Sequence, residues 1–167
     1  HRIKNNMNTI INLLSLQAET LKDPSAIAAL EDAGSRVQSI MVLYDKLYRS
    51  TDFQAVSIKE YFATLIDDIV ANFPNRTAVR IEKNIADFKI SAEILFSFGI
   101  IINELLTNIM KYAFAGRDDG LIMVSAAEKN NHVTVLIQDN GNGMPDSIDF
   151  ENSPGFGLML VGMLTKQ

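Results

Sequence analysis

The first 49 residues carry two amphipathic helical stripes with one break between them, which limits what the chain can fold into more than any other feature. Ile3, Met7, Ile10, Leu14, Ala18 and Leu21 recur at steps of three and four, the period of one helix face. Lys22-Asp23-Pro24-Ser25 interrupts the pattern, because the residue before a proline avoids helical geometry, and Ser25 is placed to cap a second helix. There Ile27, Leu30, Ala33, Val37, Ile40, Tyr44 and Leu47 continue the same spacing. A hairpin of two helices encloses no core. Its apolar stripes need a further surface, and the simplest supply is a second copy, making a four-helix bundle.

From residue 57 the pattern changes. Residues 57–73 read as a helix with Phe62, Leu65, Ile66, Ile69 and Val70 on one side, and Val79-Arg80-Ile81-Glu82 alternates like a strand. Residues 88–90 offer another strand, and residues 91–115 a long helix, started by Ser91 and stopped by Gly116. Residues 121–127 and 132–139 are rich in β-formers around the turn-prone Lys129-Asn130-Asn131, which predicts a hairpin. Residues 144–154 read as a loop and residues 157–166 as a last helix. The expected class is α+β: a dimerisation hairpin (1–50), a linker (51–56) and an α/β sandwich (57–167) with helices on one face of a mixed sheet.

Composition removes several functions. Fifteen Lys+Arg against twenty Asp+Glu give a net charge of −5, which argues against a nucleic-acid binder that works by neutralising phosphates. Without cysteine there is no disulfide framework, zinc knuckle or thiol catalysis. The longest apolar run, residues 94–102, is broken by Ser97 and Gly99, so no membrane segment is expected.

Three pieces carry possible chemistry. Asp139-Asn140-Gly141-Asn142-Gly143 follows an apolar strand; two glycines permit positive φ and close approach to a flat ligand, and the carboxylate can accept from an exocyclic amine such as that of adenine. A plain Asn-Gly turn reads the same way. Gly155-Phe156-Gly157 opens the last helix, where free N–H groups could hold phosphate, or where the helix simply starts. In Asn103-Glu104-Leu105-Leu106-Thr107-Asn108-Ile109-Met110-Lys111-Tyr112, helical steps of about 100° bring Glu104, Asn108 and Lys111 within roughly 60° of one another. They form a solvated face or, on a helix this apolar, a set of groups that Mg2+ and phosphates would satisfy.

In this order the three pieces resemble the N, G1 and G2 boxes of the GHKL (Bergerat-fold) ATP-binding domain, shared by histidine kinases and gyrase-type ATPases; the P-loop pattern is absent. The resemblance implies ATP and Mg2+ as ligands. Asn108 would ligate the metal, Lys111 face phosphate and Tyr112 pack near the nucleotide. Asp139 would read the adenine amine, Gly141 and Gly143 line the base pocket, and Gly155 and Gly157 follow in the G2 box. Glu104 stands where GHKL ATPases carry a water-activating carboxylate. The family pattern also leads one to expect further strands after the G2 helix.

The opening His1-Arg2-Ile3-Lys4-Asn5-Asn6 supplies an acceptor. On a helical wheel His1 points about 145° away from the stripe, with Asn5, Asn8 and Asn12 beside it. It resembles the H box of the sensor histidine-kinase subfamily whose motif reads His-Arg-Ile-Lys-Asn-Asn. The likeness continues through Leu47-Tyr48-Arg49-Ser50, Asp52-Phe53, Glu60-Tyr61, Lys111-Tyr112-Ala113-Phe114 and Gly157-Leu158-Met159-Leu160-Val161. The related HWE kinases carry a histidine where this chain has Asn103, and a Trp-x-Glu motif it lacks. Many histidine kinases place an acidic residue after the acceptor; here Arg2 stands there, so that base does not carry over, and Arg2 or Lys4 could hold phosphate instead. The resemblance implies a cytoplasmic homodimer that phosphorylates His1 from Mg-ATP and passes the group to an aspartate on a response-regulator receiver domain, under an upstream sensor domain outside this chain. A histidine phosphotransfer protein with a degenerate nucleotide domain, or a GHKL serine/threonine kinase or ATPase, are the alternatives. His132 is assigned no role.

Overall fold

The computed structural model describes residues 2–48, 56–144 and 162–163, and the chain divides into two compact units, residues 1–51 and 52–167. The first is a helical hairpin of α1 (Arg2–Thr20) and α2 (Pro24–Tyr48). The second helix starts one residue before the expected Ser25 cap. Asp23 caps it instead, accepting from Ser25 N at 2.9 Å, with Pro24 in the first turn. Proline is preorganised there because its missing N–H would lack an intrahelical partner anyway.

The seam within the hairpin is rotated from the stripe read in the sequence. On α1 and at the residue just after it the shielded positions are Lys4, Met7, Ile11, Leu14, Ala18 and Leu21, an alternating three-four spacing, and Lys4 Nζ pairs with Asp45 Oδ2 at 2.9 Å. Ile3 and Ile10 are left exposed, together with Leu13 and Leu16, which are 60% and 58% exposed. The apolar arc of α1 is wider than one neighbouring helix covers. Asn5, Asn8 and Asn12 are exposed as expected.

The second unit is a helix-on-sheet sandwich. Strand β1 (Val56–Ser57) pairs antiparallel with β3 (Lys89–Ile90), so ordered pairing begins at Val56, inside the segment read as linker. Helix α3 (Ile58–Ala71) follows, capped by Ser57, whose hydroxyl accepts from Glu60 N. The main sheet has the order β2-β4-β5: β2 (Val79–Ile85) runs parallel to β4 (Gly120–Lys129), which pairs antiparallel with β5 (His132–Asp139). Asn130 and Asn131 turn the β4–β5 hairpin with φ of 53° and 61°, the left-handed pair that a two-residue hairpin favours. Helix α4 (Ala92–Asn108), capped by Ser91, makes the crossover between the parallel strands.

The core lies between α3, α4 and one face of the sheet. Phe62, Ile66, Leu95, Ile102, Leu106 and Ile122 are fully buried, and Phe62 meets Phe98 edge-on at 6.3 Å. The alternation of β4 puts Ile122, Val124 and Ala126 inward. Residues 92–113 are long and apolar enough to span a membrane by length and composition alone, but they form the core helix of this sandwich. The expected G2 box and the loop from residue 145 lie outside the described residues; of the last expected helix, Gly162 and Met163 are described and helical.

Tyr61 on α3 is buried, and its hydroxyl has no hydrogen-bond partner among the described residues. Burial pushes the phenol well above its ordinary range. The folded chain therefore keeps this proton where the unfolded chain gives it up. The group's contribution to stability is full below a pH of about 10 and falls as pH rises beyond it. Tyr61→Phe removes an unsatisfied polar atom and should stabilise the fold by about 1 kcal/mol at neutral pH, while flattening the alkaline loss. Urea unfolding of both proteins at neutral and alkaline pH measures this; a variant less stable than the parent would show that the hydroxyl is satisfied in solution.

Candidate functional site

The expected single helix over 91–115 is instead an α-helix that ends at Asn108 and widens into a π-helical turn at Ile109–Ala113. Such turns add a residue to the helical ring and occur often at functional sites. Gly116, with φ of 76°, then stops the helix as expected. The widened turn is held from outside the helix: Asn75 Nδ2 donates to Met110 O at 3.1 Å.

The last carbonyls of a helix have no intrahelical donor. Here one of them, and a carbonyl two residues beyond the helix, are taken by the turn after β5. Asn142 N donates to Ala113 O at 2.8 Å, and Asn142 Nδ2 to Ala115 O at 3.2 Å. Between these contacts Gly141 lies so close that a Cβ would stand 2.6 Å from both Ala113 Cβ and Ala113 O. The two glycines thus do different work. Gly143 adopts the expected positive φ, 74°, whereas Gly141 is needed for space against the helix.

Glu104, Asn108 and Lys111 do not make a solvated stripe: Glu104 is buried, Asn108 half-buried and Lys111 exposed. The side-chain amide of Asn108 makes no hydrogen bond to any described residue. Tyr112, beside Lys111, is an exposed ring. Asp139 Oδ1 accepts from Gly141 N at 2.8 Å, which fixes the carboxylate and leaves Oδ2 without a partner among the described residues. The docked turn joins the Asp139 carboxylate and the end of the helix that carries Asn108. A shallow open cleft of about 420 Å3 between Thr77, Arg80, Asp118 and Asn140 borders this turn and includes none of Asn108, Lys111 or Asp139.

His1, Gly155 and Gly157 lie outside the described residues, so the acceptor and the G2 box stand on sequence alone. Lys4, read as a possible phosphate ligand, pairs with Asp45. Sequence reading missed Asn75, Arg117 and Asn142. Each acts through a carbonyl far away in the chain, and no local pattern marks it.

A helix-on-sheet sandwich with an Asp-x-Gly-x-Gly turn docked on the end of its Asn-bearing core helix defines an ATP-binding domain of the GHKL type. The chain belongs to the histidine kinase-like ATPase domain family, whose model matches residues 74–167, while a model described as histidine kinase matches residues 1–73. Membership implies use of ATP. A sensor histidine kinase PdtaS of Mycolicibacterium smegmatis is 28% identical over 167 residues, covering 98% of this chain and 33% of that protein. Blue-light-activated histidine kinase 2 of Erythrobacter litoralis is 22% identical, covering 99% of this chain and 49% of its own. The chain thus spans between a third and a half of these relatives. The histidine kinase domain of Erythrobacter litoralis EL346 shares the fold at a TM-score of 0.70 and 17% identity, over 97% of this chain and 84% of that one.

Proposed function

We propose that the chain is the catalytic core of a sensor histidine kinase, which transfers the γ-phosphoryl group of ATP to His1 and then to an aspartate of a response-regulator receiver domain. The docking of the Asp139–Gly143 turn on the end of the helix that carries Asn108 is the observation that supports this reading. Magnesium prefers oxygen ligands and takes one or two protein groups beside phosphates, and the amide oxygen of Asn108 fits that requirement. The bound ion would neutralise phosphate charge.

The protein's own groups do the rest. Asp139 Oδ2 accepts from the adenine amine, and Lys111 supplies a cation to the phosphates. Tyr112 covers the nucleotide, Gly141 and Gly143 shape the base pocket, and Gly155 and Gly157 offer N–H groups. Glu104 lies one helical turn before Asn108 on the same face of the helix, within reach of the metal that Asn108 would hold. At His1 a neutral imidazole nitrogen attacks phosphorus with its lone pair as the bond to the ADP oxygen breaks. An unperturbed imidazole is roughly three-quarters neutral at pH 7, so no prior deprotonation is needed. The exposed Ile10, Leu13 and Leu16 support a homodimer through the hairpin, and dependence on ATP supports a cytoplasmic reaction.

The test is a nucleotide titration with and without magnesium. The parent should bind ATP more tightly with the metal, and Asn108→Ala should lose about tenfold of that gain. An Asn108→Ala chain that responds to magnesium as the parent does would remove the metal assignment.

A further inference from the structure

Arg117 follows the π-turn and belongs to none of the three boxes. Its guanidinium is held as a fork by one carboxylate, Nε to Asp119 Oδ1 at 3.0 Å and Nη2 to Asp119 Oδ2 at 3.1 Å. The remaining nitrogen, Nη1, donates to the backbone oxygen of Asn140 at 2.6 Å. Arg117 in turn holds the Asp119 carboxyl below the usual carboxylate range through this hydrogen bond and its charge. Asn140 is fixed on its other sides as well. Its Oδ1 accepts from Leu121 N at 2.7 Å, its Nδ2 donates to Asp119 O at 3.0 Å, and its N–H to Leu121 O at 3.1 Å.

The carbonyl that Arg117 grips and the N–H of Gly141 belong to one planar peptide unit. That N–H is the donor to Asp139 Oδ1. Turning the plane turns the donor, and the donor sets which way the Asp139 carboxylate faces. A charged donor on the carbonyl also polarises the same peptide, strengthening its N–H as a donor at the far end. A lysine has one nitrogen and cannot hold both carboxylate oxygens and the carbonyl in one plane.

We infer that Arg117, clamped by Asp119, is a positioning residue for base recognition: it orients the Asn140–Gly141 peptide so that Asp139 presents its free oxygen to the exocyclic amine of a purine nucleotide. The inference rests on the reading of Asp139 as the base acceptor. Its specific consequence is selectivity. Losing the clamp should weaken a nucleotide that donates to Asp139 and spare one that cannot.

The experiment titrates the whole chain with ATP and with inosine triphosphate, which carries a carbonyl in place of the amine. The parent should prefer ATP by about tenfold or more. Arg117→Ala should lose about tenfold in ATP affinity and less than about twofold in inosine triphosphate affinity, so that the preference collapses. Arg117→Lys should not restore it, and Asp119→Asn, which keeps the arginine and loosens the fork, should fall between. If Arg117→Ala fails to give a cooperative thermal transition, Asp119→Asn carries the comparison. Equal losses for both nucleotides, or full preference in Arg117→Lys, would overturn the clamp. A parent that binds both nucleotides equally would overturn the Asp139 reading itself, and a parent that binds neither would overturn the proposed activity; both are separate from a failure of the clamp.

Discussion

In His1→Gln, label from [γ-32P]ATP should fall to background, at least about a thousandfold below the parent, because the substitution removes the attacking lone pair rather than weakening a contact. In the parent the label should be acid-labile and alkali-stable, the signature of a phosphoramidate. ATP affinity should stay within about twofold of the parent, since residues 1–51 form a compact unit distinct from residues 52–167. That contrast is the informative part. Label that persists and resists acid would place the phosphate on a hydroxyl, as a GHKL serine/threonine kinase would. An unlabelled parent that also fails to bind ATP would instead favour a phosphotransfer protein with a lost nucleotide site. Release of free phosphate without label would point to an ATPase in which Glu104 activates water.

What the sequence made legible was local. Ser91 reads as a cap because a hydroxyl before an apolar period satisfies an orphan N–H, and it caps α4. Asn130-Asn131 reads as a turn because asparagine tolerates φ above zero, and both residues adopt it. Asp139 falls at the end of β5, as the run of β-formers over residues 132–139 predicts. The π-turn was not legible, since residues 109–113 continue an ordinary helical composition and the register change is held by Asn75, more than thirty residues away. The stripe read on α1 and the seam of the hairpin differ by a fraction of a turn for a related reason. An arc wide enough for two neighbours does not say which one the hairpin supplies, and Ile10 proved to lie on the open side. Gly141 reads as freedom of φ and close approach to a ligand; the close approach seen in the structure is to Ala113, which no local pattern marks.

That close approach predicts the largest binding effect. In Gly141→Ala the new methyl would stand 2.6 Å from Ala113 O, 2.6 Å from Ala113 Cβ and 2.7 Å from Asp139 Oδ1. None of the three can swing aside as the end of a long side chain would. The first two belong to the helix end that Asn142 N grips at 2.8 Å, and the third is the oxygen that Gly141 N holds at 2.8 Å. Relieving the clash therefore moves the turn off the helix or the carboxylate off its donor, and either movement displaces the base acceptor. Overpacking of this kind costs about 2–3 kcal/mol, or roughly 30- to 150-fold in ATP affinity if the whole cost falls on the site. Gly143→Ala is the comparison: its φ of 74° strains any side chain, but nothing lies within 4 Å of the new methyl. The backbone penalty alone is about 1–2 kcal/mol. Gly141→Ala should accordingly be the more damaging of the two in an ATP titration, with both variants keeping a cooperative thermal transition because the turn lies outside the core of α3, α4 and β4. Were Gly141→Ala to bind ATP as the parent does, the docking of this turn on the helix would have no part in forming the nucleotide site.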